Sequence, residues 1–146
     1  MNTNFELALS LVEKKLEKIR SDVPPRTFDA KKPAEIEVNK FWYEGATIDR
    51  LMVVLRSTGC SHYYTRKGCS MCGHYDGTTE KPVSAEEYIT QWKSISDGRS
   101  LENKIDFDLN SFPVLCLYNL GSFLNPNEVP LEAVLEIFSS IAHLTG

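Results

Sequence analysis

The feature that most constrains this chain is a continuous apolar run, Leu51 to Leu55, which leads through Arg56–Thr58 to Gly59 and Cys60. A run that is apolar at every position, not at every second one, fits a strand covered on both faces in a parallel sheet. Gly59 then supplies the backbone freedom for a sharp exit. Three of the four cysteines follow that exit, at Cys60, Cys69 and Cys72, spaced C-x8-C-x2-C. In α/β folds, ligands bind where loops leave the carboxyl ends of strands. A thiol cluster on such a loop reads first as a metal or iron–sulfur site.

Composition narrows the setting. A chain of 146 residues is about one domain, and a formal net charge of −4 makes no overall case for nucleic-acid binding. No apolar run approaches the ~20 residues of a membrane span, and the start MNTNFE lacks a signal-peptide pattern. The expected compartment is the cytoplasm, where thiols stay reduced and clustered cysteines hold metal more readily than they form disulfides.

Around this centre the chain reads as two β/α units preceded by an extension. Residues 4–20 place Phe5, Leu9, Val12, Leu16 and Ile19 on one helical stripe, expected to pack on the domain. Lys14, Lys15, Lys18 and Arg20 suit the negative end of that helix, with RNA contact as the sharper alternative. Arg26 to Thr47 has no sustained period and is expected as an irregular segment anchored by Phe41, Trp42 and Tyr43, rings that also suit substrate stacking. Residues 1–47 thus form a helical extension with an irregular segment, and 48–146 the α/β core.

The first strand is expected over Ile48–Thr58 and the second over Pro113–Asn119. Between them, Ser84 and Glu87 form a capping box for a helix to about Ser96, with Tyr88, Ile89, Trp92 and Ile95 inward. Pro130 starts the last helix, with Leu131, Val134, Leu135, Phe138 and Ile141 or Ala142 as its inward face. Two such units leave a two-stranded parallel core with open edges. The chain is therefore expected to be the N-terminal part of a larger (β/α) barrel, truncated or completed by another chain.

Three thiolates match three iron corners of a [4Fe–4S] cluster, leaving the fourth iron for a non-protein ligand. A Cys3His zinc site, with His62 or His74 as fourth ligand, is the competing reading and implies a non-catalytic recognition module. A redox pair at Cys69 and Cys72 leaves Cys60 unexplained. Cys116 lies inside the second apolar run, where free cysteine behaves as a small hydrophobe.

The segment RSTGCSHYYTRKGCSMCGHYD resembles the cluster loop of radical S-adenosylmethionine (SAM) enzymes, in the elongator-like branch with a widened first spacing. Together with YNLGSFLNPNEVP it most resembles the archaeosine synthase radical SAM subunits and their uncharacterised relatives. The resemblance covers roughly Arg50 to Pro130 and implies an α/β fold, the N-terminal portion of a partial (β/α) radical SAM barrel with an N-terminal amphipathic helix. It implies Cys60, Cys69 and Cys72 as ligands of a [4Fe–4S] cluster whose open iron chelates SAM. It also implies contacts to SAM from Met71, Gly73, Asn119, Gly121 and Ser122. Loop filling for Met71, and turn chemistry for Asn119 and Ser122, stand as the plainer readings. The implied reaction is reductive cleavage of SAM to methionine and a 5′-deoxyadenosyl radical, with an external one-electron donor. The archaeosine-type relatives further imply a tRNA substrate and a partner subunit. His62, Tyr63, Tyr64, Arg66 and Lys67 fit either an exposed loop insert or the mouth of a substrate or RNA site.

Overall fold

The computed structural model describes residues 3–22, 27–61, 77–79, 81–97 and 108–142. Cys69, Met71, Cys72 and Gly73, with His62, Tyr63, Tyr64, Arg66, Lys67 and His74, lie outside the described residues.

The chain is a mixed α/β structure. Helix α1 (Thr3–Ser21) precedes strands β1 (Glu35–Tyr43) and β2 (Ala46–Leu55). Helix α2 (Ala85–Ser96), a 3-10 turn (Leu109–Ser111), strand β3 (Val114–Asn119) and helix α3 (Leu131–Ala142) follow. The sheet order is β1-β2-β3. Strands β2 and β3 are parallel, in register from Arg50 opposite Val114 to Leu55 opposite Asn119, with α2 between them in sequence. This is the strand–helix–strand order that the sequence predicts.

Strand β1 is a correction. Glu35–Tyr43, expected as irregular, pairs antiparallel with β2 along its whole length, from Glu35 opposite Val54 to Tyr43 opposite Ala46. The hairpin closes through Glu44 and Gly45, with φ of 48° and 85°. Two consecutive positive φ values are what a tight two-residue hairpin needs to match the twist of its strands. Phe41 does anchor locally, since the Arg50 guanidinium lies 4.6 Å over its ring. Trp42, by contrast, is 68% exposed.

The core lies between the sheet and the two later helices. Leu51, Val53 and Leu55 of β2 meet Tyr88, Trp92 and Ile95 of α2 and Ala133 and Ile137 of α3. Helix α2 starts as its sequence dictates: Ser84 accepts from the Glu87 amide, and the Glu87 carboxylate accepts from the Ser84 amide. Trp92 Nε1 donates to Ser140 Oγ across the two helices.

Two helix faces differ from expectation. Helix α3 buries Ala133, Val134 and Ile137, while Leu131, Leu135 and Phe138 point outward. It is apolar on nearly every side, so periodicity alone does not select the buried stripe. The α1 stripe, expected to pack on the domain, is largely open: Phe5, Leu9, Val12 and Ile19 are exposed and Leu16 is half-buried. Spacing decides which side chains share a stripe, not what meets it. Among the described residues, no helix is long and apolar enough to cross a membrane.

Candidate functional site

Parallel strands β2 and β3 end side by side, so the segments leaving their carboxyl ends start as neighbours. Cys60 follows β2 by five residues and is half-buried. Asn119 ends β3, and Gly121 and Ser122 form its exit. These two exits touch. A Cβ built on Gly121 would stand 3.0 Å from the Cys60 backbone nitrogen and would overlap the Glu128 carboxylate. Gly121 is glycine because two backbones and a buried carboxylate leave no room for a side chain.

The β2 exit is closed by polar contacts. Gly59 has φ 95°, and a Cβ there would meet Thr78 at 2.6 Å, so position 59 excludes side chains on two grounds. Its amide donates to Ser57 Oγ at 3.0 Å, and the Ser57 carbonyl accepts from the Thr79 amide at 3.0 Å. Buried Arg56 donates from Nη1 to the Gly77 carbonyl at 2.5 Å and from Nε to the Lys32 carbonyl at 3.3 Å. Its guanidinium stacks 4.2 Å over the Phe28 ring. Gln91, fully buried on α2, accepts from the Arg56 amide at 2.7 Å and donates to the Arg56 and Ala30 carbonyls. The cysteine loop therefore leaves and rejoins the fold at adjacent stems, Ser61 on one side and Gly77 on the other.

Glu128 joins the two strand exits. It is 6% exposed, and its carboxylate accepts from the Ser61 amide at 2.8 Å, the Ser122 amide at 2.5 Å and Asn125 Nδ2 at 2.9 Å. Burial by itself raises the Glu128 pKa, but the Ser122 and Ser61 hydrogen bonds outweigh it and the pKa is lowered. Glu128 stays ionised as the acceptor that three donors require. Its backbone is held as well, because the Tyr88 hydroxyl donates to the Glu128 carbonyl at 3.1 Å. Burial pushes the Tyr88 pKa up to about 12.

Asn119 combines turn chemistry with an unused group. Its Oδ1 accepts from the Gly121 amide at 3.0 Å, the turn expected of such a residue. Its Nδ2 lies near the Tyr88 hydroxyl but is buried without a hydrogen-bond partner. A buried donor left unpaired costs roughly 1–3 kcal/mol, and the Tyr88 hydroxyl oxygen beside it is an acceptor already in the fold.

Of the residues singled out from sequence, the structure brings Cys60, Asn119, Gly121 and Ser122 to one place. Cys69, Cys72, Met71 and Gly73 lie outside the described residues. Among the described residues, no three His, Cys, Asp or Glu side chains gather to hold a metal ion. Cys116 lies away from the exits, mid-strand on β3, 3.9 Å from Arg50 Nη1. Sequence reasoning missed Glu128, Arg56 and Gln91. The available signal was their type: charged or amide side chains next to apolar elements, with Glu128 three residues after Asn125 in a proline-flanked turn.

An uncharacterized protein of Methanocaldococcus jannaschii is 32% identical to this chain over 116 residues. The match covers 78% of this chain and 30% of the relative, so the chain spans under a third of that protein's length. No family model matches the chain, and no solved structure matches it.

Proposed function

We propose that the chain is the first part of a radical SAM (β/α) barrel, holding a [4Fe–4S] cluster and SAM at the carboxyl ends of β2 and β3. The observation that carries this reading is the contact between the two exits, with Cys60 against Gly121 at the ends of adjacent parallel strands. Two motifs that resemble the family in sequence thus supply neighbouring residues, Cys60 and Gly121, which stand 61 positions apart in the chain.

The residues present fit the two groups. Asn119 Nδ2 is a buried donor at the β3 exit, beside the Tyr88 hydroxyl, of a kind suited to a carboxylate such as that of SAM. The Cys60 thiol is half-buried on the neighbouring exit. Cys60, with Cys69 and Cys72, would ligate three irons of the cluster. Asn119, Gly121 and Ser122 would take the amino-acid end of SAM, with Met71 and Gly73 contributing from the loop. When bound, the cluster supplies one electron for reductive cleavage of the SAM carbon–sulfur bond. The chain's own residues supply orientation: Arg56 and Ser57 hold the far stem of the loop, and Gln91 holds Arg56. By motif resemblance we extend the proposal to tRNA base modification of the archaeosine type, with a partner subunit and an external electron donor.

Anaerobic reconstitution with iron and sulfide tests the reading. The expected result is a brown protein that cleaves SAM when reduced. Alanine at Cys60, Cys69 or Cys72 should abolish the cluster, and Cys116→Ala should leave iron content nearly unchanged. Stoichiometric zinc without SAM cleavage would sink the proposal, and equal iron loss in Cys116→Ala would sink the ligand assignment.

A further inference from the structure

We propose that Glu128 is a positioning residue, whose single carboxylate sets the spacing between the start of the cysteine loop and the exit of β3. The clamp itself rests on geometry. What the spacing serves, holding a metal corner at Cys60 in register with a SAM cradle at Asn119–Ser122, rests on the functional reading above.

Five observations converge on this carboxylate. One oxygen accepts from the Ser61 amide, immediately after Cys60, and the other from the Ser122 amide, immediately after Gly121. Those amides belong to different strand exits, and the same functional group satisfies both. The side chain is nearly buried, at 6% exposure, so water does not readily replace it. Its approach is lined by Gly121, where any side chain would overlap it. Its own backbone is fixed independently: the Glu128 and Val129 amides donate to the Asn125 carbonyl at 2.9 Å, and Tyr88 binds the Glu128 carbonyl. Asn125 Nδ2 reaches both Glu128 Oε1 and Ser61 Oγ, which closes the arrangement on the loop side. An anchored carboxylate with two oppositely committed oxygens behaves as a spacer of set length.

The chemistry predicts which replacements fail. Glutamine keeps the shape but offers one oxygen, and its amide group would face an N–H donor. Glu128→Gln should therefore release one exit, and Glu128→Ala both.

Amide hydrogen exchange on the full chain is the test. In Glu128→Ala, the Ser61 and Ser122 amides should exchange about tenfold faster or more, with the β2–β3 ladder at Val53 and Leu117 changed less than about threefold. In Glu128→Gln, one of the two exit amides should lose protection, and this variant carries the measurement if Glu128→Ala does not fold. Ladder amides accelerating as much as the exits would mean general destabilisation and overturn the proposal; so would unchanged exit amides. In reconstituted protein, Glu128→Gln should weaken SAM binding about tenfold at equal iron content per chain. Unaltered SAM affinity despite freed exits would overturn the positioning role. A wild-type chain that takes up no cluster would defeat the functional reading, and the exchange data would still decide the clamp.

Discussion

The helix side of the sheet and its opposite face are made by the same three strands, yet they are built to different standards. On the helix side, Leu51, Val53 and Leu55 have no exposed surface and pack against α2 and α3. Strand alternation puts Arg50, Met52 and Val54 on the other face, beside Cys116 and Tyr118 of β3 in the parallel register. There Tyr118 is 47% exposed, and Arg50 spends its hydrogen bonds on Asn39 and Cys116. Of the five consecutive apolar residues in β2, Met52 alone is half-buried, and Val54 on the opposite face is covered to 7% exposure, so the difference between the faces lies more in β3 than in the run itself. The lesson is that an unbroken apolar run reports the capacity to be covered twice, and the tertiary structure decides which cover is present among the described residues.

The strongest way to break this comparison is to truncate one aromatic on each side. Trp92→Ala, in the helix layer, should lower stability by about 3–5 kcal/mol in urea unfolding. Tyr118→Ala, on the opposite face, should cost under about 1 kcal/mol in the same measurement. Equal losses would mean that the opposite face is covered in solution. The polar part of the helix layer comes next. Gln91→Leu strands the Arg56 amide and the Arg56 and Ala30 carbonyls, and should cost about 2–4 kcal/mol while leaving the opposite face unaffected.

Tyr88 sharpens the contrast through pH. Its folded pKa is raised from 10.0 to about 12, so the native state favours the neutral phenol. The corresponding stability is fully present below about pH 10 and is lost as pH rises through about 12. Two pH units correspond to roughly 2.7 kcal/mol at most. Tyr88→Phe should remove that part of the alkaline loss, which comparing the two unfolding curves at pH 9 to 12 would reveal; identical curves would count against a buried phenol. The smallest effect is expected at Ser84. Ser84→Ala removes one half of the capping box and should cost about 1 kcal/mol by thermal unfolding, with no change at the strand exits.

Much of the fold was legible because local rules carried it. The α2 cap, the apolar run of β2 and Pro130 before α3 are signals confined to a few residues. Strand β1 was harder to read because its polar and aromatic residues, EIEVNKFWY, alternate only in part, and its turn uses Glu44 where an Asn or Gly is the usual cue. The buried face of α3 was illegible because both of its sides are apolar, and only contact with α2, marked by Trp92 and Ser140, selects one. At the site, the thiols and the glycine exit stood out by spacing. Glu128 did not, because its significance is the meeting of Ser61 and Ser122, separated by 61 positions in their numbering.

By itself the sequence determined where this chain becomes helical, where the parallel strands run and which residues carry distinctive chemistry. Those properties follow from periodicity, capping and backbone freedom over short spans. Only the tertiary structure decided that a third strand completes the sheet edge, which helix faces are covered, and that a buried carboxylate ties the two exits together. Such outcomes depend on contacts between residues distant along the chain, where burial and hydrogen-bond satisfaction outweigh any local preference.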